Sequence, residues 1–360
     1  MKQRLAGCIV LIWLLVATAV GGQEELPGVS TGGFPGVSVV NFAGYEGCLQ
    51  LDNGETRVIL GPHCGGRLLS YARHGKEALP LNPAQDGWTW IPGAKTIDPY
   101  GGRFDIGPEL TLGRHPTLWL GTYEQYAMGP RAARMISLTD PDLRLQLHRF
   151  FRLAPDGSHL RCTQKIKNLS DTTMRVCHWS RTFALGGGIC VVPLNPHSRY
   201  PKGYLTYGPG PVMNYRPSPH PNVRVRDGYL EIRGTPPFSK FMVDTEAGWL
   251  AYLMPNDLIF VKRFAVYPQR AYGEACAATL SVFYYPGTDE AAKPPDQRML
   301  PIDFCELEPI GPTEFLAPGQ SASYSEDWWL LSYPFPREGQ EVDLTALAEL
   351  VARQAVVREK

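Results

Sequence analysis

The sequence has no excess charge of either sign: 35 lysines and arginines face 35 aspartates and glutamates. A neutral chain argues against nucleic-acid binding driven by a broad basic surface. Close cysteine pairs are missing too, since Cys48, Cys64, Cys162, Cys177, Cys190, Cys276 and Cys305 all stand far apart. That spacing excludes a metal ribbon. The eight histidines form no His-x-His or His-Glu-x-x-His pattern, so no metal site is expected. No Gly-x-Ser-x-Gly elbow marks a serine nucleophile. Gly186-Gly187-Gly188 lacks the lysine and the following helix of a phosphate loop, and no cofactor is expected. There is no repeat of fixed period, and almost no helical periodicity.

Glycine (37) and proline (33) are abundant instead. They interrupt many short apolar runs, as in an all-β chain rich in turns. Asn53-Gly54 between Cys48–Asp52 and Thr56–Leu60 is a hairpin signal. Further strand-like runs follow at 65–71, 134–138, 143–153, 160–168, 173–183, 189–193, 229–233, 240–244, 249–254, 258–266, 276–285, 303–308 and 323–332. Residues 84–129 and 194–222 look irregular. A helix is expected from Asp343, a capping residue, to about Arg358. More than a dozen strands and one helix imply a single large antiparallel β domain, a sandwich or a barrel.

At the start, Lys2 and Arg4 precede an apolar run from about Leu5 to Val20. The run is short for a membrane span and has the form of a secretory signal peptide. The expected layout is a signal peptide at 1–22, a linker at 23–38, the β domain at 39–335 and a helical tail at 336–360. The mature chain is then secreted or periplasmic, with no membrane span after cleavage. Most cysteines sit in apolar runs and are expected as buried thiols.

Chemistry-bearing residues are few. Glu306 and Glu308 lie two apart in a strand-like run, so they share a face, and Pro309 and Gly311-Pro312 end that strand. They are either a site or an exposed polar face. His178 sits in Cys177-His178-Trp179-Ser180-Arg181-Thr182, either as a buried structural histidine or as a titrating group. Tyr100 to Glu109 places Arg103, Asp105 and Glu109 among small residues, as an ion-paired loop or a ligand loop. Trp88, Trp90 and Trp119 stud the irregular segment, as a lid over the core or a surface for the apolar face of a sugar ring.

Taken in order, several motifs resemble galactose mutarotase-like, or aldose 1-epimerase-like, domains. Gly65 to Tyr71 with Gly75-Lys76-Glu77 resembles their opening hairpin, and Ile166 to Ser180 the central strand that ends in a catalytic histidine. Cys305-Glu306-Leu307-Glu308-Pro309 resembles the late strand with the catalytic glutamate, and Leu316 to Trp329 the final strands. More narrowly, Gly101-Gly102-Arg103, Pro108-Glu109, His178 to Thr182, Glu308-Pro309 and Gly311-Pro312 resemble DUF4380, a family of secreted bacterial proteins. The resemblance implies a β-supersandwich with a C-terminal helix and a concave face that takes a small sugar or a glycan. It also implies that Glu308 (or Glu306, in the other register) is the base at the anomeric hydroxyl and His178 the acid at the ring oxygen. Arg103, Glu109, Arg181, Trp88 and Trp119 are then expected around the substrate. The chain departs from the pattern where a second histidine should follow the arginine segment; His115 is the histidine near that place. A non-enzymatic glycan-binding module and a polysaccharide lyase are the alternatives on the same fold.

Overall fold

The computed structural model describes residues 29–30, 33–207, 212–234, 236, 240–285 and 303–354. The expected signal peptide at 1–22 lies outside the described residues. Within the expected linker, Val29–Ser30 pairs in parallel with Gln125 and Tyr126, and the strand Val37–Phe42 opens at Val37.

Among the described residues the strands form two sheets of eleven and thirteen. The larger sheet runs, neighbour to neighbour, through Met213–Asn214, Tyr204–Tyr207, Lys240–Val243, Leu280–Tyr285, Phe304–Pro309, Met174–Leu185, Gly102–Gly107, Arg67–Arg73, Thr56–Gly61, Tyr45–Asp52 and Val37–Phe42, with Glu314–Leu316 also on Met174–Leu185 and Lys76–Glu77 also on Arg67–Arg73. The smaller runs through Val29–Ser30, Tyr123–Gly129, Ala132–Ser137, Leu145–Leu153, Leu160–Asn168, Ser321–Ser332, Leu258–Phe264, Trp249–Met254, Ile189–Pro193, Tyr229–Arg233 and Val223–Arg226. This is the all-β architecture expected from the sequence, with a short helix at Leu344–Ala352.

Period-two alternation builds the core. Leu145–Leu153 and Leu160–Asn168 each bury every second residue. The sheets meet over aromatic rings: Phe104 stacks on Trp328 at 5.7 Å, and Phe260 meets Trp328 edge-on at 5.2 Å. A polar cross-link runs through the same layer. Lys262, fully buried, donates to Ser180 Oγ at 3.0 Å, Thr182 Oγ1 at 2.7 Å and the Leu307 carbonyl at 3.0 Å. Glu326 lies 3.2 Å from its ammonium. The terminal helix begins at Asp343, whose side chain accepts from the Ala346 N–H. Its Leu344, Leu347 and Val351 pack with Val191, Val261 and Trp329 on the outside of the smaller sheet.

The sequence reading misses strands in both irregular segments. Gly102–Gly107 is a central strand of the larger sheet, although it reads Gly-Arg-Phe-Asp-Ile-Gly. Its apolar Phe104 and Ile106 face the core, and its charged Arg103 and Asp105 are buried against partners on the other side. Glycine is required just before it: Gly101 has φ +115°, and a Cβ there would strike the Leu68 carbonyl. Tyr123–Gly129 and Tyr204–Tyr207 are the other missed strands of four residues or more in those segments, and Val37–Phe42 and Val223–Arg226 are missed outside them. Among the described residues seven cysteines are present, all free and six of them buried.

Candidate functional site

Three neighbouring strands, Phe304–Pro309, Met174–Leu185 and Gly102–Gly107, form one charged face. Their register sets Phe183 opposite Glu306, Trp179 opposite Asp105 and Arg181 opposite Arg103. Alternation then turns Glu306, Glu308, Trp179, Arg181, Arg103 and Asp105 to the outer side of the larger sheet. Cys305, Leu307, Phe104 and Ile106 turn inward to the core.

His178 is not on that face. It precedes Trp179 by one residue, so its ring points between the sheets with Ser180 and Thr182. There it stacks on Tyr324 of the smaller sheet, with ring centroids 5.7 Å apart. Neither ring nitrogen makes a well-formed hydrogen bond; a weak contact to the Ala322 backbone is all that favours its charged form. Burial drives its pKa down to about 3, so the ring is neutral. The expected pairing of His178 with Glu308 across one cleft is therefore corrected: the two side chains occupy opposite faces. Period two already contains the conflict, because His178 and Arg181 occupy even and odd positions of one strand and cannot share a face.

The acids and bases of the outer face are tightly interlocked. Glu306 Oε1 accepts from Arg103 at 3.1 Å and from Arg181 Nε at 3.2 Å. Arg103 also donates to Asp98 at 2.7 Å and lies over Trp119, 5.6 Å from its ring centroid. Arg181 reaches Asp105 at 3.8 Å and Glu109 at 3.7 Å. Burial alone would lower the pKa of Arg181, but Glu306, Glu308, Asp105 and Asp98 outweigh it and hold the guanidinium above its ordinary value.

Glu308 is fully buried and differs from Glu306. Its Oε2 accepts from Trp179 Nε1 at 2.7 Å and lies 3.4 Å from Lys240 Nζ, while Oε1 has no hydrogen-bond partner. Burial raises its pKa to about 7; Lys240 opposes that rise and the nearby Glu306 adds to it. It is therefore poised between acid and carboxylate near neutral pH.

The histidine on this face is His115. Its Nε2 meets Asp105 Oδ1 at 2.7 Å and its Nδ1 meets the Gly113 carbonyl at 2.9 Å. Both partners are acceptors, so both ring nitrogens carry protons and the ring is an imidazolium. Burial works against that charge, but Asp105 wins and raises the His115 pKa. In return, the charge and hydrogen bond of His115 overcome the burial of Asp105 and hold its carboxyl well below the usual range.

Beside these groups lies a cavity of about 360 Å³, lined by Asp105, Glu109, Arg114, His115, Trp119 and Arg181 among others. Of the residues expected at a site, Glu109, Arg181 and Trp119 line it directly. Arg103 and Glu306 brace it from behind, and Glu308 sits deeper, beneath Trp179. Trp88 is not in the cavity; its carbonyl accepts from Tyr45 at 2.5 Å. The sequence reading misses Trp179, Lys240 and Asp98 as parts of the cluster. Trp179 is legible from its two-residue spacing to Arg181. Lys240 and Asp98 carry no local signal, because they reach the cluster only through the sheet order and the loop before Gly102–Gly107.

The sequence matches no protein-family model and no curated protein. Solved structures do match. The Slr1438 protein of Synechocystis sp. PCC 6803 is 15% identical, with a TM-score of 0.55 over 82% of this chain and 99% of that one. A galactose mutarotase-like protein of Lactobacillus casei is 12% identical, with a TM-score of 0.51 over 79% of this chain and 100% of that one. The fold is thus that of the galactose mutarotase-like proteins. Among the described residues, no helix is long and apolar enough to cross a membrane.

Proposed function

We propose that the protein recognises a sugar in the cavity beside Trp119. The observation that carries this reading is the convergence of a half-buried indole with fixed carboxylates and a guanidinium on one small cavity. An indole suits the apolar C–H face of a pyranose, and Asp105, Glu109, Arg114 and Arg181 suit its hydroxyls. Ion pairing fixes Asp105, Glu109 and Arg181 beforehand, which lowers the ordering cost of binding. Recognition is favoured over a glutamate–histidine mutarotase reaction, because His178 is sealed between the sheets and both nitrogens of His115 are engaged. Glu308 supports a second reading. Its pKa near 7 and its unpartnered Oε1 suit proton transfer, with Lys240 as the neighbouring cation. The signal-like start at Lys2 and Arg4 and the DUF4380-like motifs support action outside the cytoplasm.

Titration calorimetry of the chain against a panel of neutral and acidic monosaccharides tests the first reading. Binding by at least one sugar, weakened about tenfold or more by Trp119→Ala, is expected. Absence of binding across the panel refutes it. Exchange spectroscopy of sugar anomers tests the second: exchange faster than buffer, lost in Glu308→Gln, is required.

A further inference from the structure

The outer face of the smaller sheet has two unlike halves. The terminal helix covers one, around Val191, Val261 and Trp329. The other comprises Ala132–Ser137, Leu145–Leu153, Leu160–Asn168 and the first half of Ser321–Ser332, and no described element packs over it.

On this open half, alternation turns out Arg134, then His148, Phe150 and Arg152, then Arg161, Thr163, Lys165 and Lys167. The next strand adds Ser321, Ser323 and Ser325. The register makes the pattern costly for the fold. Arg152 stands directly opposite Arg161, and the neutral His148, opposite Lys165, meets Arg134 through its Nδ1 at 3.1 Å. Like charges directly opposite each other destabilise a sheet. Two acids lie nearby, and both are engaged: Asp327 by His159 at 2.7 Å and Arg161 at 3.8 Å, and Glu124 by Tyr126 at 2.6 Å. His148 registers the resulting field. Partial burial and then Arg134, Lys165 and Lys167 push its pKa down to about 4. A neutral chain has thus gathered five cations, Arg134, Arg152, Arg161, Lys165 and Lys167, on three adjacent strands.

We propose that this face binds an extended acidic polysaccharide, a chain of uronate-type sugars. From Arg161 to Lys167 a strand rises roughly 20 Å, so the cations form a ridge that follows a linear polymer and not a single small anion. Two grooves meet at the Arg152–Arg161 pair: one of about 300 Å³ over Phe150 and Thr163, the other of about 460 Å³ beside Arg131 and His159. Beside the cations runs a row of hydroxyls, with Thr163 and Ser325 bonded at 2.7 Å and Ser321 and Ser323 in line. Cations next to hydroxyls match a polymer that bears carboxylates and hydroxyls on each unit. Single-stranded nucleic acid is disfavoured, because that mode needs several free aromatic rings. Here the aromatic residues among the cations are Phe150, which Arg134 already lies over at 5.6 Å, and Tyr126, which stands opposite Arg134 and donates to Glu124 at 2.6 Å. The proposal is independent of the sugar cavity, which is on the other sheet.

The test measures binding of the full chain to polygalacturonate, with neutral dextran and double-stranded DNA as comparators. Binding to polygalacturonate is expected at 50 mM NaCl, weakening about tenfold or more at 300 mM as counterions compete. The triple variant Arg152→Ser, Lys165→Ser, Lys167→Ser is expected to lose about tenfold or more in affinity, with an unchanged circular dichroism spectrum. Trp119→Ala, in the cavity, is expected to bind polygalacturonate as the wild type does. No wild-type binding at 50 mM NaCl overturns the proposal. So does an unaffected triple variant, or loss of binding in Trp119→Ala. DNA bound as tightly as polygalacturonate overturns the choice of glycan.

Discussion

Replacing Glu308 with glutamine isolates the carboxyl that burial lifts into the neutral range. In solution such a group titrates near 4.5, and here burial raises it to about 7. Below pH 4.5 it is protonated in both the folded and the unfolded chain, and it costs nothing. Between those values the unfolded chain ionises first, so folding stability falls as pH rises, and the loss is complete above about 7. A displacement of that size is worth roughly 3 kcal/mol. Glutamine does not titrate, yet its side-chain oxygen still accepts from Trp179 Nε1. Losing the carboxylate also removes a partner of Lys240. The stability of Glu308→Gln relative to wild type should therefore rise by roughly 3 kcal/mol between pH 4 and pH 8. Urea unfolding followed by tryptophan fluorescence, at half-unit steps of pH, measures the two curves. Parallel curves would refute the buried, proton-holding state of Glu308.

Other perturbations probe the layer between the sheets. His178 resists protonation down to about 3, whereas an unfolded chain takes the proton near 6.5. Stability should thus fall as pH drops below 6.5, and His178→Phe should remove about 4–5 kcal/mol of that loss between pH 7 and pH 3. Acid unfolding midpoints report this, and an unchanged midpoint would contradict it. The same variant should bind sugar within about twofold of wild type by calorimetry, because the ring never reaches the cavity; a larger loss would return His178 to the site. Lys262→Met takes the cation from Glu326, which keeps Trp328 Nε1 as a donor at 2.8 Å, and the ammonium donor from three oxygens, and it should cost about 3–5 kcal/mol in urea unfolding. A cost under about 1 kcal/mol would mean the cross-link contributes little.

The sequence by itself determined the class of the fold and its largest elements. Alternation over Leu145–Leu153 and Leu160–Asn168, the Asn53-Gly54 turn and the Asp343 cap are local signals, each carried by neighbours along the chain. The shared face of Glu306 and Glu308 was legible for the same reason. Tertiary structure alone decided which face that was, and what met it. Glu306 finds Arg103 from a position 203 residues away and Arg181 from 125 residues away, contacts created by the order of strands in the sheet. Strand Gly102–Gly107 escaped notice because a strand is read from its apolar residues, and here Arg103 and Asp105 alternate with them, stabilised only by partners on other strands and loops. His178 shows the same limit from the other side. Its sequence context resembles a catalytic strand, but a shift of one position in a period-two element sends a side chain to the opposite face. No property of the residue itself records which face the second sheet will cover.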